Sequence, residues 1–316
     1  MKALVMGGSK SGKSDFAQTL AIQAAEGGPL WYIATMRPVD EEDQARVELH
    51  RTRRAGLEFI TRELPYTADF EHDGIPWRGT VLLDSVTALL ANEMFSVDGS
   101  VDQDAPARVA NCLLQLADEQ QHTVFVCDTI FSDAIAFEDE TNAFRAGLAY
   151  VATRLAEVCE GVIEVTAGIP TVRKLPGEET QAKPKRGEAG MHLITGGAFQ
   201  GKTAYAAARY ALNEEDVFTC AADSIAIDYS LRCIAKLENF SLACVRQGVD
   251  PVELMLSQNS AWSNAILVCA DISAGVVPTE PVYRAWREAN GRLLQALASH
   301  AFEVTRMFAG LPERLK

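Results

Sequence analysis

The first chemistry legible in this chain is a lysine and a hydroxyl closing a glycine-punctuated run. Gly7-Gly8-Ser9-Lys10-Ser11-Gly12-Lys13-Ser14 has the form Gly-x4-Gly-Lys-Ser. In such a run the N–H groups of a tight turn, opening a helix at its positive end, cradle phosphate oxygens. Lys13 is then placed for the β- and γ-phosphates of a nucleoside triphosphate, and Ser14 helps hold Mg²⁺. Asp84 closes the apolar run Thr80–Leu83, where phosphate-loop proteins keep the carboxylate that steadies that ion.

A second group is basic. Arg46 precedes His50 by four residues, and Arg53 and Arg54 follow it by three and four, so the four share one face of a helix expected over Asp40–Gly56. Asp40, Glu41, Glu42 and Asp43 fill its first turn and complement the helix dipole. Two readings of this face stand side by side. One is a solvated basic face with an incidental histidine. The other is a phosphate-handling face, with His50 as nucleophile or acid/base and the arginines holding oxyanions.

Positioning these residues calls for an α/β fold. Ala3–Met6, Leu30–Thr35, Thr80–Ser85, Thr123–Cys127 and Gly161–Thr166 read as strands. Helical segments over Asp15–Ala25, Val86–Phe95, Val101–Gln121 and Ala143–Glu160 separate them. Alternation of this kind predicts a mostly parallel, helix-covered sheet of phosphate-loop NTPase type, with its ligand at the carboxyl ends of the strands.

The pattern then recurs. Leu175–Gly190 has no apolar periodicity and reads as a linker. After it, Met191–Thr195 leads into Gly196-x4-Gly201-Lys202-Thr203, and Ala309-Gly310-Leu311-Pro312 echoes Ala167-Gly168-Ile169-Pro170. Two echoes in one order indicate duplication. The expected organisation is therefore a first copy over residues 1–174, a linker over 175–190, and a shorter second copy over 191–316. No counterpart of the Leu83-Asp84 strand is legible in the second copy. Aligning Tyr32 with Phe218 puts Lys236 opposite His50. A phosphate loop without its partners seldom transfers a phosphoryl group. That favours a relic capping the first copy over a second nucleotide site.

The chain has 316 residues, 48% hydrophobic and 23% charged, with a net charge of −14. This composition is that of a globular protein, and its charge argues against wholesale nucleic-acid binding. No apolar run is long enough for a membrane span, and none at the N-terminus resembles a secretory signal. The seven cysteines contain no Cys-x2-Cys pair and read as buried small hydrophobes in a reducing cytoplasm.

Together these residues resemble the bifunctional adenosylcobinamide kinase/adenosylcobinamide-phosphate guanylyltransferase family. Gly7–Ser14 departs from the family's loop only in having Lys10 for arginine. Tyr32–Thr35, the acidic stretch, Arg46, His50, Arg51, Arg54, Glu63, Pro65 and Val81–Thr87 follow its order. The family's later signature is eroded in the first copy, at Asp128–Ala134 and Ala152-Thr153. The second copy keeps more of it, in Asp271–Pro278, Trp286-Arg287, Gly291-Arg292, Gln295 and Ala309–Pro312.

The resemblance implies ATP and GTP as substrates, Mg²⁺ as cofactor and a corrinoid as acceptor. It implies that His50 carries GMP, with Arg46, Arg51 and Arg54 offsetting phosphate charge. Gly7–Ser14, Ala34, Thr35, Glu63 and Asp84 would contact nucleotide, with Glu63 toward guanine or ribose. It also implies self-association or packing of the two copies around a composite site. Two other readings remain beside it: a phosphate-loop kinase of another alcohol that never uses His50 covalently, and a nucleotide-binding regulator.

Overall fold

The computed structural model describes residues 1–38, 52, 56–72, 79–96, 99–135, 137–175, 190–275 and 278–316. The helix expected over Asp40–Gly56, with Arg46, His50, Arg51, Arg53 and Arg54, lies outside these residues apart from Thr52 and Gly56. So does the linker, apart from Leu175 and Gly190. The chain divides into two compact units. The first comprises Met1–Thr129 and Glu138–Glu178; the second comprises Ile130–Phe137 and Glu179–Lys316.

In the first unit, strands β1 (Lys2–Gly7), β2 (Leu30–Ala34), β3 (Ile60–Glu63), β4 (Thr80–Asp84), β5 (His122–Asp128), β6 (Gly161–Thr166) and β7 (Ile169–Lys174) form one sheet. Their order is β3-β2-β4-β5-β1-β6-β7, parallel except for β7. Among the described residues its helices include α1 (Lys13–Ala25), α2 (Thr67–His72), α3 (Val86–Met94), α4 (Ala105–Glu119) and α5 (Asp139–Val158). Alternation along the strands decides which face each side chain serves. Ala3 and Val5 join Leu82, Val124, Val126, Ala17 and Ala21 in the core beneath α1, while Leu4 and Met6 are fully buried on the other face. Burying each large apolar side chain stabilises by about 1.5–3 kcal/mol.

The second unit repeats the plan. It contains β8 (His192–Thr195), β9 (Val217–Thr219), β10 (Cys233–Ala235), β11 (Ile266–Val268), β12 (Glu303–Phe308) and β13 (Leu311–Arg314), with α6 (Lys202–Tyr210), α7 (Leu237–Arg246), α8 (Pro251–Leu256), α9 (Asn259–Trp262) and α10 (Pro281–His300). Its sheet order, β13-β12-β8-β11-β10-β9, is the first order without β3, written from the other end. Left-handed residues recur at matching places: Lys10 and Phe199, Gly12 and Gly201, Glu26 and Ala211, Ala167 and Ala309, Gly168 and Gly310. Backbone conformation this unusual for non-glycine residues is strong support for duplication.

One strand went unread and two expectations are corrected. Ile60–Glu63 is an edge strand, unread because its short, charged sequence lacks an apolar face. Gly161–Thr166, read as the final strand of the first copy, is followed by another: Ala167-Gly168 and Ala309-Gly310 turn hairpins whose second strands are β7 and β13. Finally, the second copy does have its counterpart of β4. It is β10, between β9 and β11 as β4 lies between β2 and β5. Ala34 pairs with Asp84, and Thr219 with Ala235, so Tyr32 corresponds to Val217 rather than Phe218. Lys236 therefore stands opposite Ser85, not His50. The shorter repeat lacks the stretch between β2 and β4.

Among the described residues no helix is long and apolar enough to cross a membrane. None of the seven cysteines is in a disulfide, and six are buried. Burial pushes the thiols of Cys127, Cys159 and Cys220 up to about 12.

Candidate nucleotide site at the carboxyl edge of the first sheet

The loop between β1 and α1 carries Gly7–Ser14. Its turn into the helix is made by Gly12, at φ 90°, a conformation L side chains rarely adopt. A Cβ there would also lie 3.2 Å from Gly168 Cα, so the hairpin after β6 closes tightly over the loop. Gly168 N–H donates to Ser11 O at 2.8 Å. Lys13 is buried at the start of α1, and its ammonium donates to Gly8 O at 3.1 Å and pairs with Asp128 at 2.7 Å.

Strand register gathers the remaining groups. Gly7 pairs with Asp128, Ala34 with both Asp84 and Glu63, and Asp84 with Val126. The loop, both aspartates, Ala34 and Glu63 therefore end at one edge of the sheet. Tyr32, 2% exposed, donates its hydroxyl to Asp84 Oδ2 at 2.9 Å. Thr35 is fully buried; its hydroxyl donates to Ser85 O at 2.7 Å and accepts from Ser85 N–H at 2.8 Å. Ser85 caps α3 by accepting from Ala88 N–H. Asn92, on α3, donates to Thr35 O and Pro65 O. Thr87 accepts the Asp128 N–H at 2.9 Å. One hydrogen-bonded frame thus holds both carboxylates and the turn after Glu63.

Two of these residues were not singled out from sequence as site residues. Asp128 carries the same apolar-run-then-Asp signal as Asp84, and its partnership with Lys13 emerges only from the pairing of β5 with β1. Tyr32 read as a strand aromatic and as the first residue of the Tyr32–Thr35 run, with no role given to its hydroxyl. His50, Arg46, Arg51 and Arg54 lie outside the described residues.

The oxygen donors fit Mg²⁺, a hard cation that favours carboxylate, hydroxyl, water and phosphate oxygens. Tyr32 orients one oxygen of Asp84. Ser14 supplies the hydroxyl that follows the loop lysine.

The second unit keeps its loop and loses this frame. Gly196–Thr203 leads into α6 through Gly201 at φ 81°, and Lys202 donates to Gly197 O at 2.6 Å. Register and equivalent backbone bonds put Val217 at the place of Tyr32, Cys220 at Thr35, Ala235 at Asp84, Glu238 at Thr87 and Ala270 at Asp128. Desolvation lowers the Lys202 pKa, against the opposing pull of Glu238, Cys269 and Asp271.

Fold and site together define a phosphate-loop α/β protein built twice, with one elaborated strand edge. The family model for cobinamide kinase/cobinamide phosphate guanyltransferase matches residues 3–172 and 243–315, and the chain belongs to that family. It is 34% identical over 104 residues to the bifunctional adenosylcobalamin biosynthesis protein CobU of Escherichia coli (strain K12), covering 33% of this chain and 56% of that protein. The chain thus spans about half the length of that relative. With the bifunctional adenosylcobalamin biosynthesis protein CobP of Pseudomonas aeruginosa, identity is 27% over 171 residues, 54% of this chain and 95% of that protein. A solved structure, the flagellar accessory protein FlaH from Methanocaldococcus jannaschii, overlaps 55% of this chain and 78% of its own. The two are 14% identical, with a TM-score of 0.26.

Proposed function

We propose that the first unit phosphorylates adenosylcobinamide and then transfers GMP from GTP to the resulting phosphate, a step in cobalamin biosynthesis carried out in the cytoplasm. The observation that carries this reading is the strand edge where Lys13 meets Asp128 while Tyr32 and Thr35 frame Asp84. It is the equipment of phosphoryl transfer, which depends chiefly on positioning and charge neutralisation. Family membership and the relatives' names support the corrinoid acceptor.

In the first reaction, the acceptor oxygen bonds the γ-phosphorus of ATP or GTP as the bond to the β-phosphate oxygen breaks; ADP or GDP leaves, and the hydroxyl proton passes to solvent. Lys13 and the loop amides hold the phosphates, Ser14 and Asp84 would hold Mg²⁺, and Ala34 and Glu63 line the nucleotide; Thr35, expected beside them, is fully buried with its hydroxyl on Ser85 and positions the strand end instead. Bound Mg²⁺ would neutralise charge on the phosphate oxygens. In the second reaction, neutral His50 attacks the α-phosphorus of GTP. A P–N bond forms, the bond to the β-phosphate breaks, and pyrophosphate leaves. The cobinamide phosphate then attacks the same phosphorus, breaking the P–N bond and restoring the imidazole. Arg46, Arg51 and Arg54 offset charge during both steps.

The test is intact-protein mass spectrometry after incubation with GTP and Mg²⁺. A GMP-sized adduct is expected on wild type and not on His50→Ala. GTP binding to wild type without adduct would leave at most the kinase activity.

A further inference from the structure

Ile130–Phe137 belongs to the second unit, although it lies in the sequence of the first repeat. It occupies a definite seat. Phe131 O accepts from Ala198 N–H at 2.7 Å, and Ala198 is inside the second phosphate loop. A Cβ added to Gly197 would stand 2.7 Å from Phe131 Cβ and 3.1 Å from Phe131 O, so the loop approaches this segment as closely as glycine allows. Further along, Gly275 N–H donates to Ser132 O at 3.0 Å, and a Cβ on Gly275 would collide with the Asp133 backbone. Phe131 is 4% exposed, and Ala134 is fully buried in a core with Leu242, Ala270, Ile272 and Trp286.

A loop amide that points toward an anion in a nucleotide site is here satisfied by a peptide carbonyl. At the same place, the groups that frame phosphoryl transfer in the first unit have become Val217, Cys220, Ala235 and Ala270. Gln200 also turns inward, its Oε1 accepting from Ala309 N–H at 2.5 Å. Two carboxylates and two hydroxyls are lost, although Glu238 stands where Thr87 was, and a peptide carbonyl is set against Gly197 and Ala198 at the start of the loop while Gly201 and Thr203 stay exposed.

We propose that the second phosphate loop has become a peptide-binding socket whose resident ligand is the chain's own segment Ile130–Phe137. GTP and ATP bind the first loop and not the second. The inference is independent of which alcohol the first unit phosphorylates. It also accounts for the eroded glycine motif over Asp128–Ala134: the segment is shaped for the socket, with Phe131 and Ala134 as its anchors.

The test is hydrogen-exchange mass spectrometry on the full chain, with and without GTP and Mg²⁺. GTP should slow exchange in the peptide covering Gly7–Ser14 and leave Gly196–Thr203 unchanged. Phe131→Ala should speed exchange over Gly197–Phe199 by about tenfold or more, because the carbonyl that protects Ala198 loses its anchor. Slowing of Gly196–Thr203 by GTP in wild type would overturn the proposal, as would unchanged exchange there in the variant. If GTP slows neither loop while Phe131→Ala still opens the second, the nucleotide reading of the first unit fails and the socket stands. Should Phe131→Ala not fold, Phe131→Leu supplies the milder perturbation, and the wild-type GTP comparison remains decisive.

Discussion

The Tyr32 hydroxyl fixes one oxygen of Asp84 from a position with almost no solvent access. A hydrogen bond to a charged group contributes about 1.5–3 kcal/mol. If that bond orients Asp84 for Mg²⁺, Tyr32→Phe lowers kcat by roughly tenfold to a hundredfold, since about 1.4 kcal/mol is a factor of ten. Steady-state kinetics across a Mg²⁺ series check this, and the loss should shrink as Mg²⁺ rises. An unchanged Mg²⁺ dependence would leave Tyr32 a packing residue only. The loop Gly7–Ser14 was legible from sequence because its signal is local. Asp128 and Tyr32 were not, because their roles exist only across strands: one needs β5 beside β1, the other needs β2 beside β4.

At the scale of elements, Thr35 is the joint between two strand ends. Its hydroxyl bridges both backbone groups of Ser85, the residue that caps α3, and Asn92 of α3 returns to Thr35 O. Thr35→Val keeps the shape and strands the Ser85 N–H and C=O, costing about 1–3 kcal/mol. Thr35→Ser keeps the hydroxyl and should retain most of that stability. Urea unfolding followed by a probe in the first unit separates the two variants. Equal destabilisation would assign the effect to the methyl group instead. Strands with strong apolar character, such as β1 and β4, were plain in the sequence. β3 was hidden because an edge strand needs no buried face, and β7 and β13 because hairpin returns can be polar. The match of β10 to β4 was hidden too, since it rests on neighbours in the sheet after the polar residues had changed.

At the scale of the whole molecule, the division between the units falls at Glu178/Glu179, inside the segment read as a linker, but one stretch of the first repeat, Ile130–Phe137, belongs to the second unit. Cutting at the linker assigns Ile130–Phe137 to one fragment and its seat to the other. Residues 191–316 produced alone should bind a hydrophobic dye and melt below the corresponding transition of the intact chain. A synthetic peptide spanning residues 128–138 should reverse both, as ligand binding to the folded form stabilises it by mass action. Calorimetry with and without the peptide reads this directly, and no shift at saturating peptide would count against the seat. The seat of Ile130–Phe137 has a further consequence for ancestry. A freshly duplicated gene can drop either repeat and keep a working product. Once one repeat carries the plug and the other the hole, excising either leaves an exposed apolar anchor or an open core. Reversion by recombination is then selected against, and the tandem form becomes a one-way step in the lineage, held by packing whether or not the second repeat catalyses anything.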